Sequence, residues 1–128
     1  VCPALDKGAA LVMPYANAEA MQKHLEEISR SIAAKAHGVI IMDGAGWHTS
    51  GALKVPKNLS ILFLPPYSPE LNPTENIWQF LRQTYLSNRV FENWEEIVDV
   101  CCDAWNRLTT DTGCIKSTAT RNWATTGQ

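Results

Sequence analysis

Two carboxylates stand where a chain can offer them to one divalent metal. Asp43 closes the unbroken apolar run Val39-Ile40-Ile41-Met42, and Glu75 follows the loop Pro65-Pro66-Tyr67-Ser68-Pro69-Glu70-Leu71-Asn72-Pro73 at the start of a helical stretch. A short apolar run ending in an acid is how a buried parallel strand carries charge to the carboxyl edge of its sheet, where open α/β sheets place their ligand sites. Each acid also has a local explanation. Asp43 before Gly44 suits a tight turn, and Glu75 sits three residues after Asn72, as in a capping box. The loop supplies the context: Pro65, Pro66, Pro69 and Pro73 leave the approach to Glu75 little conformational freedom, which a preorganised metal ligand requires. The pairing points to metal-dependent phosphodiester chemistry.

The elements that must position these groups follow from pattern. Val1–Leu5 and Ala9–Tyr15 flank the turn residues Asp6-Lys7-Gly8 and predict an antiparallel hairpin. Asn17 predicts a helix cap, with Met21, Leu25, Ile28 and Ile32 forming one apolar stripe and the helix ending near His37-Gly38. Val39–Asp43 and Leu59–Leu64 predict strands joined by fifteen residues, a length suited to a parallel crossover, with a short helical turn around Thr49–Leu53. Asn72-Pro73-Thr74-Glu75 reads as N-cap to N3 of a helix whose buried face is Ile77, Trp78, Leu81 and Tyr85. A last helix starts at Asn93 with Glu96 at N3, burying Ile97, Val98, Cys101, Trp105 and Leu108. Residues 109–128 are Thr-rich and read as a polar, partly ordered tail anchored by Ile115 and Trp123.

With 128 residues and 45% apolar content, the chain fits one α/β domain with a real core. No stretch approaches the roughly 20 apolar residues of a membrane span, so a soluble, cytoplasmic protein is expected. Cys2, Cys101, Cys102 and Cys114 lack paired zinc spacing and read as reduced thiols. The net charge is −2, and the second half carries five basic against eight acidic side chains. A stand-alone nucleic-acid binder is usually basic, so any grip on DNA must rest on metal ions and local patches.

The blocks Asp43-Gly44-Ala45-Gly46-Trp47-His48, Leu62–Pro73 and Glu75-Asn76-Ile77-Trp78 resemble the DDE endonuclease domain of mariner-like transposases and their bacterial insertion-sequence relatives. That family's second block reads Leu-Pro-Pro-Tyr-Ser-Pro-x-Leu-Asn-Pro-x-Glu and is present here in full. Ile115–Ala124 looks like the family's usual C-terminal close, so the resemblance covers nearly the whole chain. It implies an α/β, ribonuclease H-like mixed sheet flanked by helices, with two Mg²⁺ or Mn²⁺ ions held by Asp, Asp and Glu. Asp43 matches the second acid and Glu75 the third. Gly44 stands where the family commonly has Asn. The strand bearing the first acid belongs before the hairpin, and Asp6, in a turn, does not replace it. A fragment of a longer transposase is therefore expected, inactive alone.

The resemblance further implies DNA as partner, at transposon ends and target, with cleavage and strand transfer during transposition and integration by a homodimer acting at the nucleoid. His48 and Asn72 are candidate supporting residues. Trp47 is a candidate for stacking on an unpaired base, core or rim packing being its plainer reading, and Lys54, Lys57, Arg82 and Arg89 are candidate DNA-backbone contacts, a solvated surface being theirs. Two other functions compete: another ribonuclease H-like nuclease such as a junction resolvase, and a domesticated remnant serving only as a DNA-binding or assembly module.

Overall fold

The computed structural model describes residues 1–44 and 51–124 and divides the chain into two compact units, Val1–Val12 with Pro73–Gln128, and Met13–Asn72. The short helical turn expected from Thr49 begins outside the described residues.

The Met13–Asn72 unit is one helix on a parallel pair of strands. Helix α1 spans Ala18–Ser31, and Asn17 caps it by accepting a 2.9 Å hydrogen bond from the Ala20 amide, which satisfies one of the otherwise unpaired first-turn donors. Strands β1 (Gly38–Met42) and β2 (Leu59–Phe63) pair in parallel from Gly38 opposite Leu59 to Met42 opposite Phe63. The apolar stripe of α1 covers one face of this pair. Leu25, Met42 and Leu59 are buried, with Met21, Ile28, Ile32, Ile40 and Ile61 packed against them. Ser29 donates to Asn58 Oδ1 at 2.6 Å, while Asn58 Nδ2 donates to the Ser29 carbonyl at 3.0 Å, locking α1 to the residue before β2.

In the other unit, α2 (Thr74–Leu81) runs into a π-helical turn at Arg82–Leu86, followed by α3 (Trp94–Thr110) and α4 (Cys114–Ala119). Asn93 caps α3 by accepting from the Glu96 amide at 2.8 Å, and the Glu96 carboxylate reaches back to the Glu92 amide at 2.7 Å. The core joins Ile77 and Leu81 of α2, Ala104 and Leu108 of α3, and Cys114, Ile115 and Ala119 of α4. Asn76 Nδ2 donates to the Thr118 carbonyl at 3.1 Å and ties α2 to α4. Burial pushes the Cys114 thiol above its ordinary range, so it stays protonated and acts as a small apolar filler.

Several elements differ from expectation. The hairpin is reduced to an isolated antiparallel bridge between Cys2 and Lys7, Pro3–Leu5 forms a 3₁₀ turn, and Ala9–Tyr15 forms no strand. Pro3 lacks a ladder donor, and a two-stranded ribbon without a covering layer is marginal in water. The sheet among the described residues is accordingly a two-stranded parallel one rather than a mixed sheet. Helix α1 stops at Ser31, short of His37-Gly38. The Ser31 hydroxyl there donates to the Ile28 carbonyl at 2.7 Å, a local bond that competes with continued helix. Pro73, not Asn72, occupies the cap of α2, so Glu75 is its second residue. Trp78 is 49% exposed: it sits about 100° around the helix from Ile77 and about 60° from Leu81, at the margin of the buried face. Beyond residue 109, α3 continues to Thr110 and α4 buries Ile115, whereas Trp123 is 46% exposed.

Candidate functional site

Asp43 stands directly after β1, and the register that sets Met42 opposite Phe63 puts it level with Leu64 at the carboxyl edge of the parallel pair. The Leu64 amide still donates to the Met42 carbonyl at 2.8 Å, and pairing ends there because Pro65 has no amide hydrogen to continue it. The Asp43 side chain is exposed beside the first residues of the proline-rich loop. That loop closes through a 3₁₀ turn at Pro69–Leu71, with the Leu71 amide bonded to the Ser68 carbonyl at 3.1 Å and the Asn72 amide to the Pro69 carbonyl at 2.9 Å. Asn72 is half-buried at its end, and its backbone is held by the turn.

Glu75 belongs to the other unit, in the first turn of α2. It is exposed and has no ion pair among the described residues. Two features favour a carboxylate here. The helix N-terminus carries partial positive charge, and the buried Ile77 two residues on, about 200° around the helix, fixes the phase so that Glu75 faces solvent.

Lys54 and Lys57 are exposed in the segment leading to β2. The backbone at Lys54 is clamped by Gln22, whose Oε1 accepts from the Lys54 amide at 2.8 Å and whose Nε2 donates to its carbonyl at 3.1 Å. Arg82 opens the π-helical turn and is exposed, as is Arg89. Trp47 and His48 lie outside the described residues.

A further acid has a different duty from anything its local sequence suggests. Asp6 holds left-handed backbone dihedrals (φ 53°, ψ 42°), and its carboxylate accepts from the Gly113 amide at 2.5 Å and the Lys116 amide at 2.9 Å. These bonds, that from Gly113 foremost, hold its carboxyl below the ordinary value. It caps α4 from more than a hundred residues away. Only the pairing of Asp6 with Gly113 in space reveals this, since neither residue lies near the other in sequence.

A family model described as DDE superfamily endonuclease matches residues 1–98. The chain belongs to the DDE superfamily endonucleases. Over 124 residues this endonuclease-family chain is 55% identical to a protein of Sinorhizobium fredii (strain NBRC 101917 / NGR234) described as uncharacterized protein y4pE/y4sA, a match covering 97% of this chain and 92% of that one. No solved structure matches it. DDE superfamily endonucleases generally use divalent metal ions, and the donor chemistry of Asp43 and Glu75 fits such an ion: both are exposed, hard-oxygen acceptors, of the kind that binds Mg²⁺ through one or two carboxylates with water and substrate phosphate completing the shell. Among the described residues no three His, Cys, Asp or Glu side chains are grouped to hold a metal by themselves. No helix among them is long and apolar enough to cross a membrane.

Proposed function

We propose that the protein is a transposase-type nuclease with a ribonuclease H-like catalytic architecture, cutting and joining DNA at the ends of a mobile element. The observation that carries the reading is the carboxyl edge of the β1–β2 pair. It presents Asp43 level with Leu64, where the rigid loop that leads into Glu75 begins. Asp43 and Glu75 are two ligands of the metal site, which takes Mg²⁺ or Mn²⁺, two ions in the complete site. With those ions bound, the chemistry supplied is activation of a water or 3′-hydroxyl and stabilisation of the leaving oxygen.

The chain's own residues hold and orient. Pro65, Pro66 and Pro69 stiffen the path from β2, and Asn72, anchored by its amide, supports the entry to α2. Lys54, Lys57, Arg82 and Arg89 offset phosphate charge, which matters in a chain of net charge −2. His48 is assigned as a supporting group and Trp47 as a base-stacking group, both a few residues after Asp43 in sequence. A homodimer is the working form, acting on DNA at the bacterial nucleoid.

A second reading, a non-catalytic assembly or DNA-binding module, is favoured by one observation: Asp6, an acid near the start of the chain, is committed to capping α4 and is not a third metal ligand. Thermal unfolding with and without Mn²⁺ separates the two. A ligand that binds only the folded state at about a hundred times its Kd adds about 2.7 kcal/mol. The transposase reading expects Mn²⁺ to raise Tm of the wild type, less so Asp43→Asn and Glu75→Gln. No Mn²⁺ effect on a cooperatively folding wild type supports the module.

A further inference from the structure

One side chain on α1 grips the connection between β1 and β2. Gln22 Oε1 accepts from the Lys54 amide at 2.8 Å, while its Nε2 donates to the Lys54 carbonyl at 3.1 Å and to Glu26 Oε1 at 3.1 Å. Both amide hydrogens and the carbonyl oxygen of the carboxamide are thereby used. Glu26 is braced in turn by Arg30 at 3.9 Å. A side chain that pairs with both backbone groups of one residue does what a neighbouring strand would do, and it fixes the point from which that residue's side chain departs. The residue so held, Lys54, is exposed.

The clamp sets Lys54 toward the edge that carries Asp43. At the amino edge of the strands, the Gly38 amide donates to the Asn58 carbonyl at 2.8 Å, Ser29 of α1 is bonded to Asn58, and Ile32 packs directly over Gly38. The last turns of α1 therefore lie at the amino edge, and its earlier turns, where Met21 packs against the cluster of Leu25, Met42 and Leu59, lie toward the carboxyl edge. Gln22 precedes Ser29 by seven residues, roughly 10 Å of helix at 1.5 Å per residue. Three strand residues at about 3.3 Å each cover the same distance, which puts Lys54 about level with Ile41, close to the Asp43 end of β1.

We propose that Gln22 is a positioning residue for DNA: it holds Lys54 so that the ammonium group meets a phosphate next to the one at Asp43. This rests on the transposase reading, which puts a DNA phosphate at Asp43. A lysine is a point charge on a flexible four-carbon stem, with no fork geometry of its own to orient it on phosphate. Its contact is only as well placed as its backbone, and a backbone ordered in advance has less freedom to lose on binding.

The test is a double-mutant cycle read by fluorescence anisotropy, with the full chain and a fluorescein-labelled DNA duplex carrying a single-stranded 3′ end, in Ca²⁺ buffer across a salt series. Lys54→Gln should weaken binding and reduce the slope of log affinity against log salt by about one, as for a lost phosphate contact. Gln22→Met, which keeps the stem and removes all three hydrogen bonds without altering charge, should weaken binding and lower the slope in the same direction. In a Lys54→Gln background, Gln22→Met should change neither. Wild-type affinity and slope in Gln22→Met, or an equal loss in both backgrounds, would show a clamp that serves the fold alone and would overturn the assignment. An unchanged slope in Lys54→Gln, or no wild-type binding at the lowest salt, overturns it as well. Hydrogen exchange on the unaltered protein needs no variant to fold: the Lys54 amide should be protected, and exchange at the rate of an open chain would mean that the clamp does not form. The Mn²⁺-dependent Tm shift, measured without DNA, judges the transposase reading separately.

Discussion

The Asp6 carboxylate accepts a 2.5 Å hydrogen bond from the amide of Gly113, a residue held at φ +85° at the head of α4. A second bond from the Lys116 amide makes the grip bidentate, and both donors belong to the first turn, where a helix has no internal acceptors for them. The N-terminal segment is thereby pinned to the core helices by one side chain.

Replacing that side chain tests the pin. Asp6→Asn should lower Tm at neutral pH. The sign of the pH dependence follows from the hydrogen bonds, which hold the folded-state carboxyl below its ordinary 3.8. A depressed folded value contributes stability that is present above the unfolded value and is lost as pH falls through the folded one. The wild-type advantage over Asp6→Asn should therefore be full above about pH 4 and shrink on further acidification. Paired melts across that range check it, and a constant difference in Tm would argue against the charged grip.

Asn93 predicts a conventional cap energy. Its Oδ1 accepts from the Glu96 amide at 2.8 Å, so Asn93→Ala should cost about 1 kcal/mol, read by urea denaturation. Asn93→Asp should retain most of the stability, because the acceptor and the favourable charge at a helix N-terminus both remain.

Gly8 of the N-terminal segment lies against Trp105 of α3. A Cβ there would lie 2.9 Å from Trp105 Cζ2 and 3.3 Å from Val1 Cγ1, so either the indole or the segment must shift. Gly8→Ala should destabilise by about 1–3 kcal/mol and change the tryptophan emission. A neutral substitution with unchanged emission would mean that the close approach is not populated in solution.

Leu108, fully buried in the cluster with Ile77 and Ile115, should cost about 2–5 kcal/mol when truncated to Ala. Leu25 belongs to the separate cluster with Met42 and Leu59. Hydrogen exchange should show Leu25→Ala loosening α1, β1 and β2, and Leu108→Ala loosening α2, α3 and α4.

What was legible in the sequence was local. Asn17 and Asn93 announced their helices because a cap and its amide lie three residues apart. The parallel pairing of β1 and β2 followed from the fifteen-residue connection, and the positions of Asp43 after a strand and Glu75 in a first helical turn followed from apolar runs and prolines. The illegible parts depend on distant partners. Asp6 reads as hairpin turn chemistry, yet its carboxylate is bound across the fold, and the flanking apolar residues Leu11 and Val12 remain about 40% exposed instead of forming a strand. Trp78 read as part of the buried face with Ile77, Leu81 and Tyr85, yet it lies at the margin of that face and is 49% exposed.

The central claim is that Asp43 and Glu75 serve one metal site. It is tested most directly by titrating the isotope-labelled protein with substoichiometric Mn²⁺ and following paramagnetic broadening by NMR. The account predicts broadening centred on both Asp43 and Glu75, and its loss from both places in Asp43→Ala and in Glu75→Ala alike. A folded protein with broadening at neither residue, or broadening at Asp43 that survives Glu75→Ala, would contradict it.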